Sequence, residues 1–210
     1  TADDARYALE SLPGPAAGAA LRDALRSASG GSEIGILNSL CERRELESVP
    51  EIAAYLKSED GAAAAAATFA LGKIGGDVAE KALQTALLTA KEENSVPYLD
   101  ALLTSAEARM ARGEREKAAE IYASLVAPEN STRARCAGLQ GLAQSDPVNA
   151  VPAILGALTE SDKTLARSAA VAARAIATPE TTQQFASQLN KLPPSAQALL
   201  IAALADRGDA

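Results

Sequence analysis

Two segments of this chain read alike. Val49-Pro50-Glu51-Ile52-Ala53-Ala54-Tyr55-Leu56 and Val151-Pro152-Ala153-Ile154-Leu155-Gly156-Ala157-Leu158 share V-P-x-I-x-x-x-L, and each is followed by an Asp, Asp60 and Asp162. The offset between the copies divides into three units of about 34 residues, a period typical of stacked helical hairpins. Pro suits the first turn of a helix, where its missing N–H is no loss. Asp is a good N-cap for the next helix. The second segments also match. Ala5-Arg6-Tyr7-Ala8, Ala134-Arg135-Cys136-Ala137 and Ala166-Arg167-Ser168-Ala169 share A-R-x-A. Counted from the shared Asp, Phe69 corresponds to Val171 and Ile74 to Ile176. The repeating unit is a helix opening on Val-Pro, a turn, an Asp cap and an Ala-rich helix.

Composition agrees. Hydrophobic residues make up 48% of the 210-residue chain but aromatics only 3%, with no Trp. A core must then be built from Ala, Leu, Ile and Val, and Ala has the best helix propensity of any residue. The expected class is all-α, an α-α superhelix of about six hairpins with one unpaired helix in front. Helices are predicted over 2–11, 15–28, 32–44, 48–57, 61–74, 77–91, 95–112, 114–127, 131–144, 147–159, 162–177, 179–191 and 195–206. Junctions such as Gly75-Gly76-Asp77 and Ser145-Asp146-Pro147 separate them. No linker divides the chain, so 1–210 is read as one repeat domain in which stacking supplies the core.

The pattern resembles the HEAT repeat family, in its short, Ala-rich bacterial form. Asp60 to Gly75, ending Leu71-Gly72-Lys73-Ile74-Gly75, follows that form closely and departs at its arginine, where Ala65 stands. The resemblance covers most of the chain. It implies a scaffold mediating protein–protein interaction, an accessory domain of a larger secreted or envelope-associated enzyme, or a lyase such as those that attach bilins to antenna proteins. A periplasmic or extracytoplasmic setting goes with the second of these. One hairpin differs: Gly113, Ala118 and Tyr122 are spaced as in a tetratricopeptide repeat. That spacing implies either a peptide-binding groove or a lengthened HEAT hairpin with Tyr122 packed between helices.

The residues point away from chemistry. The chain has no His and only two Cys, Cys41 and Cys136. It therefore lacks the commonest general base and metal ligand, and a nucleophilic Cys would lack its usual partner. Both cysteines lie on apolar helical faces and read as reduced, buried thiols. Glu42, Glu45, Glu47, Glu92, Glu93, Glu114, Glu116 and Glu120 lie beside Arg or Lys, as on a solvated face. Gly72 to Asp77 lacks the strand–loop–helix setting of a phosphate cradle and reads as a helix end that must turn. We therefore expect no enzyme, no cofactor and no catalytic metal. The net charge of −7 argues against nucleic acid as a partner, and no apolar run is long enough for a transmembrane segment.

Binding is expected instead, with a protein or peptide, or with other domains of the same chain. By helical phase, Asn38, Glu42, Thr68, Arg135, Gln140, Arg167 and Arg174 are the polar positions of the second helices that line the inner face of a HEAT stack. Arg6, Arg135 and Arg167 recur at the repeat period, either as a guanidinium ladder for carboxylates or phosphates or as structural ties to adjoining repeats. Asn130-Ser131-Thr132 fits a glycosylation sequon but also an N-cap, and Arg207-Gly208-Asp209 matches an adhesion tripeptide by chance. From Ala196 to Ala205 only Gln197 is polar. An exposed stripe of Leu199, Leu200, Ile201 and Leu204 would invite self-association. The expectation is a segment of a larger protein or a terminal helix packed on another copy; the alternative is a stripe folded back on the preceding helix.

Overall fold

The computed structural model describes residues 2–207. Gly208 and Asp209, two members of the Arg-Gly-Asp tripeptide, lie outside the described residues, while Arg207 donates to the Thr182 hydroxyl at 2.6 Å. The described chain is all-helical, as its repeats predict. Its helices are α1 (Ala2–Ser11), α2 (Pro15–Leu25), α3 (Gly31–Glu42), α4 (Val49–Ala54), α5 (Gly61–Ile74), α6 (Asp77–Thr89), α7 (Val96–Ala111), α8 (Arg115–Val126), α9 (Thr132–Ser145), α10 (Pro147–Leu158), α11 (Lys163–Ala175), α12 (Pro179–Leu189) and α13 (Pro194–Ala205). No helix among the described residues is long and apolar enough to cross a membrane.

The predicted helix 48–57 is the main departure at the level of elements. Only Val49–Ala54 is α-helical, flanked by 3₁₀ turns at Leu46–Ser48 and Tyr55–Lys57. The last turn tightens to satisfy its carbonyls before Ser58 turns extended. Val151-Pro152 does not open a helix as Val49-Pro50 does: α10 starts four residues earlier, at Pro147 capped by Asp146, and Pro152 lies inside it. The register of the following helices holds. Asp60 accepts from the Ala62 and Ala63 N–H groups, at 2.8 and 3.4 Å. Asp162 does the same for Thr164 and Leu165, at 2.8 and 3.2 Å. Phe69 and Val171 both face solvent, while Ile74 and Ile176 are both buried. Gly75 and Gly76 adopt φ of 69° and 92°, closing α5 and opening α6 as a turning helix end requires.

Contacts gather the chain into two units, Thr1–Ala108 and Arg109–Ala210. In the first, α1 packs on α3 and α3 on α5, while α2 packs on α3 and α4 on both α5 and α6. Odd and even helices thus form two layers. α5 meets α7 closely, because a Cβ on Gly72 would sit 2.8 Å from the Ala101 Cα. In the second unit α9, α11 and α13 follow one another, α10 contacts α12, and α8 lies along α9. Gly138 and Gly141 permit that approach: a Cβ on Gly138 would meet the Tyr122 carbonyl oxygen at 2.8 Å, and one on Gly141 would overlap the Tyr122 ring. Tyr122 is buried there, packed between helices.

The terminal helix buries part of the expected stripe. Leu200 is fully buried and Leu199 and Leu204 are half-buried; Ile201 is the one member of the stripe that is exposed. The helix packs on α11 and α12 with Leu200 inward, leaving Ile201 outside beside Ala198, Ala202 and Ala205. Cys41 and Cys136 are both free thiols; Cys41 is buried and Cys136 half-buried.

Candidate functional site

The polar positions picked out by helical phase have different surroundings. Asn38 and Glu42 are exposed on α3. Thr68 is buried, its hydroxyl donating to the Ala64 carbonyl at 2.8 Å, so it is a core residue and not part of a polar face. It borders a shallow cleft with Phe69 and Pro97. Gln140 of α9 donates to the Ser168 hydroxyl of α11 at 3.3 Å. Arg174 approaches Asp206 at 3.6 Å.

The recurring arginines divide. Arg6 donates to the Ser39 hydroxyl at 2.8 Å and the Gly35 carbonyl at 3.3 Å, tying α1 to α3. Arg135 donates to the Val126 carbonyl at 3.1 Å and grips Glu160 with both terminal nitrogens, at 2.8 and 2.5 Å. This bidentate pair spans α9 and the end of α10, and it holds the Glu160 carboxyl below its ordinary range. Arg167 is exposed. Two of the three are structural ties, and their guanidinium groups are already taken.

The carboxylates behave alike. Arg22 approaches Glu45 at 3.3 Å and Glu47 at 2.9 Å. Arg43 reaches Glu45 at 3.5 Å and also donates to the Leu9, Glu10, Leu12 and Gly14 carbonyls, closing the end of α1. Arg112 and then Arg109 hold the Glu114 carboxyl below the ordinary range. Burial pushes the Cys41 thiol up to about 11, which keeps it protonated. Among the described residues no group of three or more His, Cys, Asp or Glu is arranged to hold a metal. The sequon region is a double cap: Ser131 accepts from the Ala134 N–H at 3.4 Å, and the Asn130 amide donates to the Ser124 and Leu125 carbonyls at 2.9 and 3.2 Å.

A concavity with mixed lining lies elsewhere, in the first unit, between the end of α4, one face of α6 and the start of α7. It has a volume of about 430 Å³. Ala53, Leu56, Ala82 and Ala86 form an apolar floor; Lys57, Thr85, Thr89, Lys91, Asn94 and Tyr98 form the rim. Tyr98 is fixed by its hydroxyl, which donates to the Leu56 carbonyl at 3.4 Å. Thr85 and Thr89 donate to the Lys81 and Thr85 carbonyls, at 2.9 and 3.0 Å. Reasoning from the second helices misses these residues. The available signal is the run Ala82, Thr85, Ala86, Thr89, which keeps one face of α6 small at helical spacing; on its own it is indistinguishable from a solvated face.

No family model matches the chain, and no curated protein matches it. One solved structure that does is human deoxyhypusine hydroxylase in complex with glycerol, at 18% identity and TM-score 0.40 over 96% of this chain and 88% of that one. The name of that neighbour is that of an enzyme, against the expectation of a non-catalytic scaffold for protein–protein interaction, and a stack of helices by itself gives no ground for excluding catalysis. At this level of likeness nothing of the neighbour's chemistry passes to the present chain.

Proposed function

We propose that the chain is a helical-repeat protein of the HEAT kind whose first unit binds a small organic molecule in the cleft between α4, α6 and α7. The HEAT reading is supported by the paired segments: Val49-Pro50 opens α4 and Val151-Pro152 lies in α10, and the helices that follow, α5 and α11, are capped by Asp60 and Asp162 in the same way. The binding reading rests on the cleft itself. Its volume of about 430 Å³ falls in the range of about 300–1,000 Å³ usual for small-molecule sites, which pair an apolar lining with a few placed polar groups. The alanines of α4 and α6 make the room, since a longer side chain at Ala82 or Ala86 would fill it. Binding is the claim, and nothing in it depends on whether chemistry accompanies it.

A fragment screen read by amide NMR shifts tests this. Saturable shifts at Ala53, Ala86 and Thr89 are expected for a subset of fragments, and Ala86→Phe, which fills the cleft, is expected to abolish them while the protein stays folded. Shifts that persist in Ala86→Phe would place binding elsewhere, and no shifts in the cleft from any fragment would end the proposal.

A further inference from the structure

We infer that the molecule taken by this cleft is an organic acid with an apolar body; the inference rests on the cleft being a binding site. Lys57 and Lys91 stand on its rim. Both are exposed, and among the described residues neither forms an ion pair or donates a hydrogen bond. This contrasts with the arginines of the same unit. Four of its five arginines, Arg6, Arg22, Arg26 and Arg43, each lie within 4 Å of a carboxylate, as expected of cations in a chain with a net charge of −7. Lysines at the ends of helices also complement the helix dipole, and the 3₁₀ turn after α4 does end at Lys57. That role is met by position alone and leaves the ammonium hydrogens unused.

The rest of the rim fits the same occupant. Asn94 adds amide donors, and it too makes no side-chain hydrogen bond among the described residues. The Tyr98 hydroxyl already donates to Leu56. The free hydrogen-bonding capacity of the lysines and Asn94 is thus dominated by N–H donors, two of them charged. Two ammonium groups on one rim favour an anionic head group. The floor of Ala53, Leu56, Ala82 and Ala86 offers nothing to a polar body and suits an alkyl or aryl one.

Matched pairs of acids and amides separate charge from shape: pentanoate, hexanoate and benzoate against pentanamide, hexanamide and benzamide. Each is titrated into the full chain and into the Lys57→Gln/Lys91→Gln double variant, reading the amide shifts of Ala86, Thr89 and Lys91. The acids are expected to bind about tenfold tighter than their amides, the scale of one charge-assisted hydrogen bond at a partly open site. Added salt is expected to weaken the acids and not the amides. In the double variant the acids are expected to fall to the level of the amides, whose own binding stays unchanged. Equal binding of acids and amides to the unaltered chain would overturn the inference and leave the cleft as a binding site. An advantage for acids that survives in the double variant would also overturn it. If neither class moves the cleft amides, the inference and the binding reading both fall.

Discussion

Tyr122 and Gly141 show how finely single residues set the packing here. The ring lies so close over α9 that a Cβ on Gly141 would overlap it. Gly141→Ala is therefore expected to cost about 1–3 kcal/mol, the usual penalty for overpacking. Gly156, inside α10, has nothing within 4 Å of its added Cβ. Gly156→Ala is expected to stabilise by about 0.5–1 kcal/mol, because only the helix-propensity term remains. Urea denaturation of both variants checks the pair; equal effects would refute the packing account. Charged residues make a second prediction. Glu160 is held low by Arg135, Asp162 by the Thr132 hydroxyl and then the Leu165 N–H, and Glu114 by Arg112 and Arg109. Each folded value lies below the unfolded one, so the stability they add is complete above the unfolded value. It drains as pH falls through the folded one. The melting temperature is expected to hold through neutral pH and fall below about pH 4. Glu160→Gln is expected to remove part of that fall, seen by circular dichroism against pH.

At the scale of elements, the caps carry the legible information. Asp60 and Asp162 are readable as N-caps because they recur at one offset from Val-Pro, and both accept two backbone N–H groups at helix starts. Thr178 has no such recurrence to mark it, yet it forms a capping box with Thr181 at the start of α12; a Thr in place of the customary Glu or Gln hides that signature. Asp162 also accepts from the Thr132 hydroxyl at 2.5 Å, so it joins two hairpins as well as capping one. Asp162→Ala is expected to cost about 0.5–2 kcal/mol, and more than Asp60→Ala, whose side chain serves its own helix. Thermal unfolding of the two variants decides this, and an equal loss would mean the Thr132 contact contributes nothing. The shortening of α4 to Val49–Ala54 is not legible in the sequence. The helical pattern continues through Leu56, and only packing decides where a helix end tightens.

Across the whole molecule, periodicity discloses which faces turn inward but not which polar residues remain free. Phe69 and Val171, or Ile74 and Ile176, share a fate because they share a register. Arg135 and Arg167 share a register too, yet one is locked to Glu160 and the other faces solvent. The difference lies in the partner that the neighbouring turn supplies, and Glu160 has no counterpart within reach of Arg167. A repeat alignment carries no record of such partners. The candidate cleft is invisible for a related reason: it is built by three elements from Ala53 to Tyr98, none of which is unusual alone. The terminal helix is a further case. Leu200, fully buried, belongs to the core, so Leu200→Ala is expected to cost about 2–5 kcal/mol. A stability unchanged in urea would contradict its burial.

Alanine is the commonest buried residue among the described core positions, and this sets how the protein tolerates change. A core of large side chains is damaged chiefly by truncation, which leaves holes. One made of methyl groups has little to truncate, and its helices lie so near each other that almost any added atom must displace backbone. The fragile positions are then the smallest ones, such as Gly72, Gly138, Ala63 and Ala169, and the damaging direction is growth. A deep mutational scan would show intolerance of larger side chains at columns that a hydrophobicity profile passes over, beside the leucines whose truncation such a profile already marks.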